Sequence, residues 1–177
     1  MLDSLILVYG FPGVGKSTVT PRFSTALGIP RLGKDTMKEA MWDALRRPPL
    51  LPPLMWSRQL GAAAYEAMFR AAKGLGPRLI LEAPLDPVRH RSQILELVSA
   101  PIEIFLWADP KLVFDRHRQR LLQQHACHRP YPLPTMRQVT KGMAETKPLR
   151  LGGPLLEVDL SQECDIEAVV GWTQQFL

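Results

Sequence analysis

The sequence predicts an α/β fold built around a parallel five-stranded sheet with helices on its faces, and three observations carry that expectation. Short apolar runs rich in β-branched and aromatic residues alternate with stretches of helical spacing. The first of those runs, Leu5 to Tyr9, is continuously apolar, as in a strand covered on both faces. The same run leads into a glycine-rich turn that opens a helix.

Taken in order, Leu5 to Tyr9 (LILVY) reads as a strand closed by Gly10, and a helix follows from about Lys16 to Leu27, ended by Gly28. Ile29 to Gly33 is a second short strand, after which Asp35 stands where the strand gives way to a helix reaching about Arg46. Residues 47–54 (RPPLLPPL) hold four prolines in eight positions, which predicts a stiff, extended connection. Ala-rich 56–73 resumes the helical pattern. Arg78 to Ala83 (RLILEA) and Ile102 to Trp107 (IEIFLW) are two more buried strands, with a helix expected between them near 87–98. Asp109-Pro110 is an N-cap followed by proline at the first helical position, and that helix carries the arginines of 116–120. Proline-punctuated 129–134 interrupts it. Thr135 to Thr146 is a further helix, Leu155 to Val158 the last strand, and a helix near 165–176 closes the chain.

At 177 residues the chain suits one domain. With 46% hydrophobic and 22% charged residues it excludes disordered and collagen-like classes. Two cysteines, Cys127 and Cys164, make no disulfide framework, which predicts a reducing, cytoplasmic compartment. The N-terminal apolar run is too short for a signal peptide core, and no segment reaches the roughly 18 apolar residues of a membrane helix. The formal net charge is +5, yet residues 116–150 hold eight basic side chains against Glu145 alone. Such a segment points either to a phosphate-bearing partner or to a solvated basic face.

Chemistry is carried by Gly10-Phe-Pro-Gly-Val-Gly-Lys16-Ser17, which matches G-x-x-x-x-G-K-[ST] in the strand–loop–helix setting the motif requires. Glycines let backbone N–H groups turn inward around phosphate oxygens, and the helix N-terminus adds partial positive charge. Gly10, Pro12, Gly13, Val14, Gly15, Lys16, Ser17 and Thr18 are therefore the expected nucleotide-binding residues. Lys16 is expected on the β- and γ-phosphates and the Ser17 hydroxyl on Mg²⁺. No N-K-x-D guanine-reading sequence follows a strand, and no strand ends in a Walker-B aspartate. RLILEA ends in Glu82 instead, either a holder of a Mg²⁺-bound water or a solvent-facing strand-end residue. Asp35 sits at the carboxyl edge of the second strand, where a carboxylate could deprotonate an acceptor hydroxyl; it is equally placed to cap the next helix.

These motifs, with KDTMKEA at 34–40, LILEAPL at 79–85 and ADPKLVFDRHRQR at 108–120, resemble the small P-loop kinases of the nucleoside-monophosphate-kinase-like fold. The likeness is to the branch of AAA-type ATP-binding domains that includes chloramphenicol phosphotransferase, zeta-toxin-type kinases and the kinase domain of polynucleotide kinase. The resemblance implies ATP and Mg²⁺, transfer of the γ-phosphoryl group to a hydroxyl of a small-molecule acceptor, and Asp35 as general base. It also implies a helical lid, over 116–136 here, in which Arg116 lies over the adenine and Arg120 approaches the phosphates. Arg129 is the expected second lid arginine, so the catalytic set is Lys16, Asp35, Arg120 and Arg129. A polynucleotide 5′-hydroxyl kinase and a non-catalytic ATP-binding regulatory module are the alternatives, with nucleic acid not favoured because ATP phosphates already account for the basic segment.

Residues 36–72 form the expected acceptor region. Trp42, Trp56, Tyr65 and Phe69 line it or belong to the core, Lys38 is placed to bind an anionic acceptor, and Asp86, Arg89 and Arg91 are rim candidates. The spacing of His125, Cys127 and His128 matches no standard zinc pair and Cys164 does not complete one, so these three are expected on the lid surface.

Overall fold

The computed structural model describes residues 2–121 and 123–177. Five parallel strands, β1 (Ser4–Gly10), β2 (Arg31–Gly33), β3 (Arg78–Glu82), β4 (Ile102–Trp107) and β5 (Leu155–Asp159), form one sheet in the order β2-β3-β1-β4-β5. Helices α1 (Lys16–Leu27), α2 (Lys34–Ala44), α3 (Pro53–Ala72), α4 (Arg91–Leu95), α5 (Pro110–Arg120), α6 (Met136–Glu145) and α7 (Ile166–Gln174) cover it. The α/β reading with a parallel sheet holds.

Alternation along the strands divides the core in two. Leu5, Leu7 and Tyr9 face one way and meet Leu79, Leu81, Phe105 and, from α3, Met68 and Phe69. Ile6 and Val8 face the other way, with Ile80, Ile104 and Leu106, against Val19 and Phe23 of α1, Val113 of α5 and Val139 of α6. Because β1 is sandwiched between β3 and β4 and covered on both faces, its backbone is held from all sides. The loop that leaves its end starts from a fixed point.

Helix ends follow their local chemistry. Asp109 accepts from the backbone N–H of Lys111 and Leu112, with Pro110 at the first helical position, as the sequence predicts. Thr135 and Gln138 form a reciprocal capping box on α6. Two expectations need correction. The proline segment is not extended throughout: Leu51 N–H bonds the Pro48 carbonyl in a turn, and Pro53 opens α3, since proline suits a first helical turn where no N–H partner exists. The helix expected over 87–98 shrinks to Arg91–Leu95, because Asp86 accepts from the N–H groups of Val88 and Arg89 and commits those residues to a turn.

A buried carboxylate fastens the chain between α6 and β5. Glu103, fully buried on β4, accepts from the Tyr9 hydroxyl at 2.5 Å, Arg150 N–H at 3.2 Å and Leu151 N–H at 2.6 Å. The Tyr9 oxygen in turn accepts from Leu149 N–H at 2.9 Å, and burial followed by the Glu103 carboxylate keeps the phenol protonated far above neutrality. Glu103→Gln turns one acceptor into a donor facing N–H groups. The expected cost is about 1–3 kcal/mol, read as a fall in Tm of roughly 2–4 °C per kcal/mol in a thermal melt. An unchanged Tm would remove this network from the stability account.

Candidate active site

Strand register brings the site together. β1 and β3 align Val8 with Glu82, and β2 and β3 align Gly33 with Glu82, so three strands end at one edge. The loop after β1 carries Lys16, the end of β3 carries Glu82, and the residues after β2 carry Asp35.

Residues Gly10–Ser17 wrap the N-terminus of α1, as the motif predicts. Gly10 (φ +153°) and Gly13 (φ +89°) occupy backbone regions that side chains avoid, and neither has room for one. A Cβ on Gly10 would meet the Leu106 carbonyl oxygen at 2.1 Å, and one on Gly13 would meet His117 Nε2 at 2.7 Å. His117 donates from that nitrogen to the Pro12 carbonyl at 3.1 Å. Arg116 donates to the carbonyls of Val14 at 2.6 Å and Leu160 at 2.9 Å, joining the loop to the segment after β5. The loop is thus braced from α5 by two adjacent side chains, of which sequence reasoning singled out only Arg116.

Lys16 is buried, and its Nζ donates to the carbonyls of Gly10 at 2.9 Å and Phe11 at 3.0 Å. Burial lowers its pKa to about 8, against the opposing pull of Asp35 and Glu82. A bound phosphate favours the charged ammonium and raises that value, so nucleotide binding takes up a proton between the free and bound pKa. Affinity for ATP is therefore expected to hold below about pH 7 and to weaken above about 8, by up to roughly tenfold per pH unit. Calorimetry at pH 8–9 in buffers of different ionisation heat checks this, and absence of proton uptake would refute it.

Asp35 forms an ion pair with Lys34 at 2.7 Å. Half of the Asp35 side chain is exposed; the partial desolvation that remains pushes its carboxyl up, but Lys34, His128 and Lys16 together outweigh that and hold it below the usual range, so it is ionised at neutral pH. Glu82, nearly enclosed, pairs with Arg31 at 3.4 Å. Burial raises its pKa, opposed by Arg31 and Lys16. The exposed Ser17 hydroxyl, at the start of α1, and the Glu82 carboxylate supply oxygen donors of the kind Mg²⁺ prefers, so these residues fit that ion.

A cleft of about 450 Å³ opens beside the loop, between α1, α5 and the residues after β5; Gly15, Thr18, Arg116, Gln119, Arg120 and Cys164 are among its walls. Arg116 and Arg120 line it one helical turn apart, whereas Arg129 bonds the Gln124 carbonyl within its own segment. The contribution of 160–164 to this cleft was missed. Its signal lies in β5 itself, because ligands in open α/β sheets bind beyond strand carboxyl ends.

On the acceptor side the structure sorts the candidates. Phe69 belongs to the core, and Tyr65 bonds the Pro84 carbonyl at 2.5 Å while stacking on His90 with ring centroids 4.4 Å apart. Trp42 and Trp56 are half-buried. Asp86 is used up capping its own turn, and Arg89 and Arg91 are exposed. Lys38 is almost fully enclosed, donating to the Cys127 carbonyl at 3.5 Å with the Tyr131 ring 4.9 Å away. Cys127 is fully buried, which corrects the expectation of a lid-surface residue: the Ser57 hydroxyl takes its carbonyl at 2.6 Å and draws it between α2 and α3.

A parallel 2-3-1-4-5 sheet whose central strand feeds a phosphate-type loop defines a P-loop nucleotide-binding α/β protein. Residues 5–133 match the model of the AAA domain family, and the chain belongs to that family. A solved structure from Chloroflexus aurantiacus J-10-fl, whose description as a kinase is provisional, is 29% identical over 100% of both chains with a TM-score of 0.87. A shikimate kinase from Bacteroides thetaiotaomicron (15% identity, 97% of each chain, TM-score 0.61) shares the fold. So does a gluconokinase from Sinorhizobium meliloti 1021 (16% identity, 99% of this chain and 91% of that one, TM-score 0.56). No curated protein matches the sequence. Among the described residues no helix is long and apolar enough to cross a membrane.

Proposed function

We propose that the whole chain, residues 1–177, acts as one ATP-dependent kinase domain that transfers the γ-phosphoryl group to a hydroxyl of a small-molecule acceptor. The observation that carries this reading is the convergence of Lys16, Glu82 and an ionised Asp35 at the carboxyl edge of three adjacent strands. A nucleotide-binding module needs the loop and Lys16; an acceptor hydroxyl is what calls for a carboxylate at the Asp35 position. The small kinases that share the fold support a small acceptor.

In this reading the amides of residues 13–18 and the Lys16 ammonium take the β- and γ-phosphates, with Lys16 exchanging its two carbonyl partners for phosphate oxygens. The cleft beside Arg116 receives the base, and Arg120, which acts electrostatically on Lys16, adds positive charge near the transferring group. Ser17 and Glu82 would hold Mg²⁺, which when bound neutralises charge on the phosphates. Asp35 accepts the proton of the acceptor hydroxyl and aims its oxygen in line. Residues 36–72 shape the acceptor site, and 116–136 close over it as a lid that excludes water, with Arg129 reaching the phosphates only by movement of its segment.

The test is transfer of label from γ-labelled ATP with Mg²⁺ to a panel of nucleosides, nucleotides, sugars, hydroxy acids, hydroxylated antibiotics and 5′-hydroxyl oligonucleotides. A labelled small molecule is the expected product. A labelled oligonucleotide alone would replace the acceptor class, and ATP binding with no labelled acceptor across the panel would favour a regulatory module.

A further inference from the structure

We infer that Glu39, Cys127 and His128 form a site for one zinc-like divalent cation, which clasps the segment after α5 onto α2. Their ligand atoms all lie within 4.8 Å of one another, although Glu39 is nearly ninety residues away in sequence. His128 Nε2 stands 3.1 Å from Glu39 Oε1. Two donors bound tetrahedrally at about 2.0–2.1 Å are themselves roughly 3.3 Å apart, so this pair already has the spacing of neighbouring ligands. The thiol needs to close in by only about an ångström to complete three corners, and water can take the fourth.

Local structure aims these donors. The Cys127 N–H bonds His125 Nδ1 at 3.2 Å and the His128 N–H bonds the His125 carbonyl at 2.9 Å, a turn that presents successive side chains to one place. The Cys127 carbonyl is held by Ser57 and Lys38. Its side chain is fully buried, where a free thiol gains little from hydrogen bonding and a metal-bound thiolate is shielded from oxidation.

Charge is consistent with a divalent ion. A thiolate and a carboxylate neutralise it, with the imidazole uncharged, so the nearby ammonium groups of Lys34 and Lys38 face no net positive centre. Asp35 faces His128 as well and adds attraction for the cation. Sequence spacing alone argues against zinc because it offers only the H-x-C-H run and Cys164; the fold supplies Glu39 as the third donor. This inference does not depend on the kinase reading.

The test is titration of the full chain, freed of metal, with Zn²⁺ and with Co²⁺ as a spectroscopic probe. Expected are one equivalent bound, a thiolate-to-Co²⁺ charge-transfer absorption, and a rise in Tm on adding zinc. Cys127→Ser should abolish the absorption. His128→Ala and Glu39→Gln should each weaken binding by about 10-fold or more. Circular dichroism of the metal-free variants separates a lost ligand from a lost fold. Absence of stoichiometric binding overturns the inference, as does a Co²⁺ adduct with no thiolate absorption or binding unchanged in folded His128→Ala and Glu39→Gln.

Discussion

Lys16→Met is expected to weaken ATP binding and to reduce any phosphoryl transfer by roughly 10²–10³-fold or more, the range seen when one preorganised donor is taken from developing charge. Methionine fills much of the same buried volume, so the fold should survive. Its sulfur cannot take over the hydrogen bonds that Nζ gives to the Gly10 and Phe11 carbonyls, and those acceptors lose their partner. The free protein already disfavours the charged lysine, whose pKa burial lowers to about 8. That stored cost is relieved when phosphate oxygens replace backbone carbonyls as partners, which is why the larger effect should fall on the nucleotide complex, with stability lowered by no more than the about 1–3 kcal/mol of unpartnered carbonyls. Calorimetric titration with ATP beside a thermal melt checks both halves. A variant that binds ATP as the parent does would sink the phosphate role of the loop.

Asp35→Asn is expected to behave in the opposite sense. ATP affinity should change by no more than a few-fold, because the amide is isosteric and removes one attractive charge from the surroundings of Lys16. Transfer to the acceptor should fall by about 10²–10⁴-fold, the usual worth of a positioned general base. Asp35 is suited to that task because Lys34, at 2.7 Å, with His128 and Lys16, keeps it ionised while half of its side chain stays accessible to an incoming hydroxyl. Its dependence on pH follows: the base is lost only as the pH falls below the ordinary carboxylate range, so the acid limb of the transfer rate should lie under about pH 4. Single-turnover transfer measured against pH, in parent and variant, separates this role from helix capping. A capping residue would lower Tm and leave transfer intact. In the structure the N-cap of α2 is Gly33, with no side-chain cap, so Asp35 is not serving that purpose.

The two effects are separable because the residues arrive by different routes. Lys16 follows β1 directly, in a loop braced by Arg116 and His117 from α5. Asp35 follows the edge strand β2, three residues long and paired in the sheet with β3 on one side. Glu82 lies between them and ties to the edge strand through Arg31. A change at Arg31 or Glu82 would therefore shift Asp35 relative to the loop more readily than it would disturb the loop.

What the sequence determined was local. Apolar runs gave the strands, since about four to six successive residues suffice to show that both faces of a strand are apolar. G-x-x-x-x-G-K-S after LILVY gave the phosphate loop, because its geometry is set by glycines and a helix start inside one short span. Asp109-Pro110 and Thr135 gave helix starts for the same reason: a cap and its N–H partners are two or three residues apart. The lysine, the serine and the carboxylates at strand ends were legible on this basis.

Tertiary structure decided whatever depends on residues far apart in the chain. Glu103 stands within a run that the sequence reads as a buried strand; only the fold places Tyr9 and the N–H groups of Arg150 and Leu151 around its carboxylate. His117 has no motif of its own, and its hold on Pro12 exists because α5 packs beside the loop. Cys127 and His128 read as lid surface until Ser57, Lys38 and Glu39 close on them from α2 and α3. Hydrogen bonding and burial act over a few ångströms of space, and separation along the chain carries no record of that distance.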